Sequence, residues 1–440
     1  MHLAPDGADG LKSLQEHAGR DDMPYVLPRV AIEALRAGVP NRAAIKLLGT
    51  SEKSLSDRFI KTLRSMRSAN GPLKISEGEI IAGGFGSGKS HLIGYLAEQA
   101  LDEDFVVSTV AISKETPLFD PERVFAAAIR NALVPRDNAD VMASALHRLK
   151  PGSRAYEDLE SWASSAESGI SPLFAALLHL WPKQTLAPED RVAIMRFLSG
   201  AKIGVARVKQ WLRNAGGAGL AKLFDIKAVK ASELALQRLR FAPALFRAAG
   251  FSGWCILLDE VELIGRYTPL QRGKSYAELA RWLGLSQDVG IPGVVSVCSI
   301  VSDFVDIMHN RLDAEKIPRA LIERDLVTAA RLSSVGMDAI ERRQHLLQAP
   351  TAETIRVSLE QVRQLYHQSY GWIPPESSTL ITPTHQATMR QYIKSWITTW
   401  DINRLYGEID DIAIEEMKPQ YDENPALEQA TPGDTAEEAL

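Results

Sequence analysis

The chain has 440 residues, 45% of them apolar, and a formal net charge of −5 at neutral pH. This composition is typical of a folded protein with a sizeable core, and it excludes binding of nucleic acid through overall positive charge. The length predicts two or three domains, and any site for a polyanion has to be local.

The cysteines and the apolar runs indicate the cellular compartment in which the protein is expected. Cys255 and Cys298 each lie in an apolar run, and their spacing matches neither a zinc site nor a disulfide framework. Buried free thiols in a reducing compartment are expected. No stretch approaches the roughly 20 apolar residues of a membrane helix, and residues 1–22 lack the apolar core of a secretory signal. These features predict a cytoplasmic protein.

Helical patterns come first along the chain. Apolar residues recur at helical spacing from Leu27, and Gly38 to Asn41 should end that helix. Two further helices are predicted over residues 43–48 and 54–68. Gly71 and Pro72 then break the chain.

Strands and helices alternate after this break. Apolar runs predict strands over residues 79–82, 105–112, 254–258 and 294–298. Helices are predicted from His91 to Ala100 and from Asp120-Pro121-Glu122, where proline and the acids suit a helix start. Alternation with buried apolar strands predicts an α/β fold with a parallel sheet.

Amphipathic helices interrupt this alternation, and a glycine-rich stretch at residues 215–219 predicts a flexible joint. The expected domains are a disordered terminus (1–22), the first half of the core with its N-terminal helices (23–130), a helical insertion (131–250), the second half of the core (251–345), a C-terminal helical lid (346–417) and a disordered acidic tail (418–440).

The strongest motif is a phosphate-binding loop. Residues 83–90 fit the pattern G-x-x-x-x-G-K-[ST], between a predicted strand and a predicted helix. Glycines let the backbone wrap phosphates, while Lys89 can reach the β- and γ-phosphates and Ser90 can ligate Mg²⁺. An accidental glycine-rich turn is the alternative, which this context disfavours. The expected nucleotide contacts come from Gly83, Gly84, Phe85, Gly86, Ser87, Gly88, Lys89, Ser90, His91 and Arg390.

A second acidic motif follows a later strand. The apolar run at residues 255–258 ends in Asp259 and Glu260, at the sheet edge where open α/β sheets bind ligands. Asp259 is predicted to hold Mg²⁺, and Glu260 to polarise the attacking water. Alone, such a pair would be a solvated strand end, but the phosphate-binding loop favours the functional interpretation. Glu262 is interpreted as structural.

Several later residues are weaker candidates. Ser299 and Ser302 could sense the γ-phosphate or cap a helix. Arg390, at the start of an amphipathic helix, could reach the nucleotide from a lid. Four arginines could serve as an arginine finger, although surface ion pairing is the simpler interpretation: Arg311, Arg319, Arg324 and Arg331.

Four blocks carry a resemblance to a known family. They are RVAIEALRAGVPNR at 29–42, GGFGSGKSHL at 83–92, VSTVAISKETPL at 107–118 and AGFSGWCILLDEVE at 249–262. The chain resembles the BREX phage-defence ATP-binding proteins, closest to the BrxD type, from about residue 25 to about 410. The AGVPNR and SKETPL segments are more specific than the phosphate-binding loop.

The resemblance implies an AAA+-like P-loop NTPase that acts with DNA and a partner such as a helicase in bacterial defence. It implies roles for Lys89, Ser90, Asp259 and Glu260. The chain departs from the family where Ser299 to Phe304 replace a Thr-Pro-type turn before an acidic-aromatic pair. A winged-helix-like C-terminal module, if the chain has one, would be expected to bind protein, because acids outnumber bases there.

A local basic excess suggests a DNA surface. Between Arg191 and Arg240 the chain carries eleven Lys or Arg and two acids. Arg207, Lys209 and Arg213 form the densest part, and they predict salt-dependent contact with nucleic-acid phosphates. A solvated helical face is the alternative.

Two functions follow from these observations. One is an ATP-hydrolysing, Mg²⁺-dependent motor or loader acting with DNA, which can form a homo-oligomer. The other is a nucleotide-dependent switch and scaffold with little turnover. Glu260 favours the first, because a pure binder needs no acid to polarise water.

Overall fold

A computed structural model describes residues 23–38, 41–67, 73–137, 139–375 and 388–407. The predicted disordered termini and the break at Gly71 and Pro72 lie outside these residues. The described residues form two compact units. The first comprises residues 23–38, 41–52, 85–95, 348–375 and 388–407, and the second comprises residues 53–67, 73–84, 96–137 and 139–347.

The second unit contains a mixed sheet of six strands. In chain order they are β1 (Glu79–Ala82), β2 (Val106–Ala111), β3 (Ala132–Leu133), β4 (Trp254–Asp259), β5 (Val294–Ile300) and β6 (Gln344–Leu346). Their order across the sheet is β3-β2-β4-β5-β1-β6. Every pair is parallel except β2 and β3. β5 therefore lies between β1 and β4.

The sheet confirms the four predicted strands. β1, β4 and β5 begin at the predicted residues, and all four runs are apolar and largely buried, as expected for a parallel sheet covered on both faces. β3 and β6 were not predicted, because two or three residues are too few to show a periodic pattern.

Helices make up most of the remaining described residues. They are α1 (Met23–Ala37), α2 (Arg42–Leu48), α3 (Lys53–Arg67), α4 (Lys89–Asp102), α5 (Pro121–Arg130), α6 (Val141–Arg148), α7 (Arg154–Ser164), α8 (Pro172–Leu180), α9 (Pro188–Leu198), α10 (Val205–Leu223), α11 (Ala231–Ala248), α12 (Pro269–Trp282), α13 (Phe304–Arg311), α14 (Asp313–Ile322), α15 (Val327–Arg342), α16 (Ala352–Tyr370) and α17 (Met389–Tyr406). Of these helices, none combines the length and hydropathy that a membrane span requires.

Local sequence signals explain the start of α5 and a kink in α10. Asp120 caps α5 by accepting hydrogen bonds from the backbone N–H groups of Glu122 and Arg123, each at 3.1 Å, and Pro121 is the first helical residue. The predicted joint within residues 215–219 is a kink in α10. Gly216 and Gly217 there have non-helical dihedral angles, with φ of +75° at Gly217.

Aromatic residues fill the core of the second unit. Trp254, on the central strand β4, meets Phe125 and Phe246 edge to face, with ring centroids 6.1 and 5.6 Å apart. Its indole N–H donates to the Ser108 hydroxyl at 2.9 Å, which satisfies the one polar atom of this buried side chain. Cys255 and Cys298 are both fully buried and free, as predicted.

Helices from both ends of the chain share the core of the first unit. Ile32 of α1 lies in one apolar cluster with Ile355 of α16 and Trp396 of α17. Arg36 of α1 donates to both carboxylate oxygens of Asp401 in α17, at 3.0 and 3.1 Å. Two parallel hydrogen bonds of this kind fix orientation as well as distance. Ile32 and Arg36 therefore anchor α1 to the C-terminal helices.

Candidate functional site

The loop after β1 has a backbone that only glycine adopts readily. Gly83 donates from its N–H to the carbonyl of Ile300 at 3.2 Å, which ties the start of the loop to the end of β5. Gly86 and Gly88 have φ of +75° and +103°. A side chain at either position would be strained, so the two glycines are needed for the turn itself.

The residues that begin α4 suit a phosphate ligand. Lys89, the first residue of α4, is buried, and Ser90 follows it. The Ser87 hydroxyl oxygen is also buried and has no hydrogen-bond partner among the described residues. A buried hydroxyl without a partner costs about 1–3 kcal/mol, and a phosphate oxygen would satisfy it. The loop therefore fits the triphosphate that its sequence predicts.

Asp259 lies at the carboxyl end of β4, where it accepts two hydrogen bonds. The Ser299 hydroxyl and the Glu260 backbone N–H, the latter at 3.0 Å, both donate to Oδ1. Within the described residues no donor meets Oδ2. Oxygen ligands of this type suit Mg²⁺, which is usually held by one or two carboxylates together with phosphates and water. No group of three or more metal-ligating side chains occurs in the described part of the chain.

Glu260 has an unusual backbone. Its φ of +59° and ψ of +34° place a non-glycine residue in the left-handed region, immediately before the 3₁₀ turn Val261–Arg266. Such a conformation costs on the order of 1–3 kcal/mol and is concentrated at functional sites. Glu260 is exposed, whereas Glu262 is buried.

The buried Glu262 also affects a neighbouring thiol. Burial raises the pKa of the Cys298 thiol, and the charge of Glu262 raises that pKa further.

The structure separates the two serine candidates. Ser299 is fully buried in β5, and its hydroxyl binds Asp259. Ser302 is exposed in the turn that precedes α13. Only Ser299 is therefore in contact with the acidic pair of the predicted site.

The four arginine-finger candidates have mostly local surroundings. Arg311 donates to the Gly265 carbonyl, Arg324 to the Ala320 carbonyl at 3.0 Å, and Arg331 to Asp288 at 2.5 Å. Arg319 is exposed on α14. Of these contacts, that between Arg331 and Asp288 is the surface ion pair that the simpler interpretation expects.

Arg390 lies beside the phosphate-binding loop within the first unit. Its guanidinium carbon is 5.5 Å from the centroid of the Phe85 ring. Thr388, which caps α17, has its hydroxyl oxygen 3.0 Å from the position that a Cβ on Gly86 would take. The start of α17 is therefore packed against two successive residues of the loop. Sequence reasoning missed Thr388, although Thr388 and Gln391 form a capping box whose spacing is readable.

The His91 side chain forms a hydrogen bond within the protein. Its Nε2 is 2.7 Å from the carbonyl oxygen of Gly49, which ends α2, and burial lowers the pKa of the imidazole. A neutral ring that donates from Nε2 explains the short distance, so the side chain anchors α4 to the end of α2.

Some residues of the predicted basic surface are buried or already paired within the protein. Arg238 is buried and donates to the Ala201 carbonyl. Arg207 pairs with Asp190 at 2.6 Å and stacks on Trp211, whose ring is buried. Lys209 is half-buried and Arg213 is exposed. The remaining surface charge is smaller than the count of residues suggested, and Trp211 cannot serve as a stacking platform for bases.

A cavity of about 620 Å³ lies in the helical insertion. Arg191 on its wall donates to the carbonyls of Trp181 and Lys183. Arg148, also on the wall, lies 4.5 Å from the Phe251 ring centroid. Because both cations already have partners, this cavity is a poorer anion site than the glycine loop.

Comparison with known proteins gives one match. The model of the family described as BREX system ATP-binding protein BrxC/D matches residues 28–148 and 208–397. Residues 149–207, which contain α7, α8 and α9, are outside the match. Searches of curated proteins and of solved structures gave no match. Because the family model covers more than two thirds of this chain, the chain belongs to the BREX system ATP-binding proteins of the BrxC/D family.

Proposed function

We propose that this ATP-binding protein is a Mg²⁺-dependent, AAA+-like ATPase that works with DNA and with other proteins of the defence system in the cytoplasm. The observation that carries the proposal is the arrangement of Asp259, Glu260 and Ser299 at the carboxyl ends of β4 and β5. β1 ends at the same edge of the sheet and leads into the phosphate-binding loop. Ligands of parallel α/β sheets bind at this edge.

Each residue has a distinct task in this proposal. Lys89 and the loop N–H groups would neutralise the β- and γ-phosphates, and Ser90 and Asp259 are the residues that would ligate the metal ion. The ion supplies charge stabilisation for the phosphoryl group. Glu260 orients and polarises the attacking water, which requires hydrogen-bond reach between its carboxylate and that water. Ser299 fixes one oxygen of Asp259 and leaves the other for the metal.

Two features support the AAA+-like assignment. β5 lies between β1 and β4, as in AAA+ ATPases, and it brings the polar residue Ser299 beside the acidic end of β4. Arg390 comes from a C-terminal helix and lies beside Phe85 of the loop. We propose that Arg390 binds the γ-phosphate, since a guanidinium at the phosphates stabilises the charge of the transition state.

The second candidate is a nucleotide-dependent switch that assembles partners with little turnover. It needs the same loop and metal site but no acid to polarise water. The strained backbone of Glu260 favours hydrolysis, because a fold retains such a conformation where it positions a functional group.

An ATPase assay separates the two candidates. Glu260→Gln should keep ATP affinity and lose roughly 100-fold or more in turnover, as is typical for loss of a positioned general base. Lys89→Ala should lose ATP binding itself. Glu157→Gln is the matched control, since Glu157 is an exposed acid in α7. A wild-type protein that binds ATP without turnover would support the switch, whereas turnover that survives Glu260→Gln would contradict the role proposed for Glu260.

DNA contact is proposed for the exposed part of the basic region. Arg213 on α10 is exposed, with a hydrogen bond to the neutral Gln210 at 3.2 Å, whereas Arg207 is paired with an acid. Contact would be to phosphates and independent of sequence, because the buried Trp211 cannot stack on a base.

A homo-oligomer is also proposed. Its basis is Arg319, which is exposed and could act as an arginine finger on a neighbouring copy of the chain.

A further inference from the structure

Phe85 is an exception in the phosphate-binding loop. Its neighbours from Gly83 to Ser90 suit close approach of phosphates, but an aromatic side chain is not needed for wrapping an anion. Phe85 is 43% exposed, so one face of its ring is accessible to a neighbouring group. The group that meets its ring is the Arg390 guanidinium, at 5.5 Å. This distance is within the range of a cation–π interaction.

The other end of the Arg390 side chain is also held. A Cβ built on Gly38 would lie 2.8 Å from Cε of Lys394 and 3.3 Å from Cδ of Arg390, so the side chains of both residues pass close to this glycine. Gly38 has φ of +73° and ends α1. Gly38 belongs to the AGVPNR segment. The stem thus rests on Gly38 and the charged head rests on Phe85.

The helix that carries Arg390 is fixed at its first residue. Thr388 caps α17 in a capping box with Gln391, and Thr388 itself contacts Gly86. Arg390 is two residues further along, so its backbone has little freedom relative to the loop within this unit. The Arg390 side chain itself still has rotamer freedom, and its immobilisation costs entropy.

We propose that Phe85 is a positioning residue that holds the Arg390 guanidinium beside the phosphate-binding loop before nucleotide binds. The inference rests on the proposed function of Arg390 as a γ-phosphate ligand. A guanidinium already held at the loop pays less entropy when it meets the triphosphate, which is the benefit of preorganisation. Since ADP lacks the γ-phosphate, Phe85 should strengthen ATP binding and have little effect on ADP binding.

The test is a double-mutant cycle on Phe85 and Arg390 with dissociation constants for Mg²⁺-ATP and Mg²⁺-ADP. Phe85→Leu keeps an apolar side chain and removes the π-face, while Phe85→Trp keeps the π-face. Phe85→Leu should weaken ATP binding by about 3- to 10-fold, as loss of one cation–π contact implies, and change ADP binding by less than about 2-fold. Phe85→Trp should retain the wild-type preference for ATP over ADP.

The cycle shows whether Phe85 acts through the arginine. In an Arg390→Met background, Phe85→Leu should add less than about 2-fold to the loss of ATP affinity, because coupled residues are not additive. Equal losses for ATP and ADP, or full additivity, would assign Phe85 a role in loop stability alone and overturn the proposal. A wild-type protein that binds ATP no better than ADP overturns the Arg390 assignment. Absent ATP binding in the wild type would overturn the proposed function itself.

Discussion

Ser299 on β5 donates its hydroxyl hydrogen to the carboxylate of Asp259 on β4, across two adjacent parallel strands. The acceptor oxygen is the one that also receives the Glu260 backbone N–H at 3.0 Å. A carboxylate fixed by two donors on one oxygen has a defined orientation, and its second oxygen is left for a metal ligand. The strand inserted between β1 and β4 therefore supplies the residue that orients the predicted metal ligand.

Replacement of this hydroxyl should reduce turnover more than binding. Ser299→Ala removes one hydrogen bond to a charged group, which is worth about 1.5–3 kcal/mol. We expect kcat to fall by roughly 10- to 100-fold, with a smaller change in ATP affinity, because the loop still binds the phosphates. The measurement is steady-state ATP hydrolysis over a range of Mg²⁺ concentrations, where the variant should require more metal.

Ser302→Ala is the control for this substitution. Ser302 is three residues away in the chain, but it is exposed in the turn before α13. It should leave kcat and the Mg²⁺ requirement unchanged. If the two variants lose activity equally, the Ser299–Asp259 contact has no special role in the site.

Close packing of α4 on α2 gives a prediction about the first unit. A Cβ built on Gly94 would lie 2.4 Å from Cδ1 of Ile45, which is buried in α2. Gly94→Ala should therefore destabilise the protein by about 1–3 kcal/mol through overpacking, although alanine is the better helix former. Urea unfolding of the variant provides the free energy.

The matched test removes the clashing methyl group. Ile45→Val deletes Cδ1, and in that background Gly94→Ala should be neutral or stabilising by up to about 1 kcal/mol, the difference in helix propensity. Ile45→Val alone should cost about 0.5–1.5 kcal/mol. Additive effects of the two substitutions would mean that α2 and α4 are not in contact at these residues.

The sequence predicted the parts of the site that depend on local signals. The loop at residues 83–90 and the acids after the 255–258 run are adjacent in the chain to the strands that carry them, so spacing alone placed them on strand ends. The positions of these strands in the sheet are not local. That β5 separates β1 from β4, and so brings Ser299 to Asp259, depends on pairing between residues 40 apart.

Contacts between distant residues were beyond sequence reasoning. Arg36 and Asp401 are 365 residues apart, and no periodic pattern links α1 to the C-terminal helices. The charge count overestimated the basic surface for a related reason. It cannot show that Arg238 is buried or that Asp190, just outside the counted segment, neutralises Arg207.

The two thiols report on the integrity of the central sheet. Burial raises the pKa values of Cys255 and Cys298 well above the ordinary thiol value, and thiolate is the reactive form. Neither thiol should react with a disulfide reagent in the native protein at neutral pH, whereas both should react in denaturant. Fast labelling of Cys298 in the native protein would show that β5 opens at the predicted site.

The surroundings of the three basic residues predict how strongly each single substitution should weaken DNA binding. Arg213→Ala should weaken DNA binding most, because Arg213 is exposed and its hydrogen-bond partner Gln210 carries no charge. Arg207→Ala should weaken it least, since Asp190 already offsets the charge of Arg207, and Lys209→Ala should fall between them. Each phosphate contact that is lost should reduce the slope of log K against log[salt] by about 0.7–0.9.

The DNA measurement needs duplexes of unrelated sequence and a charge-matched control. Arg154→Ala serves as the control, because Arg154 is 95% exposed on α7 and pairs only weakly with Asp158, at 3.7 Å. It should leave both affinity and salt slope unchanged. If combined loss of Arg207, Lys209 and Arg213 also leaves the slope unchanged, α10 is a solvated helical face and any DNA contact lies elsewhere. A loss confined to one DNA sequence would indicate base recognition, which the buried Trp211 and the absence of other aromatic residues between Val205 and Leu223 disfavour.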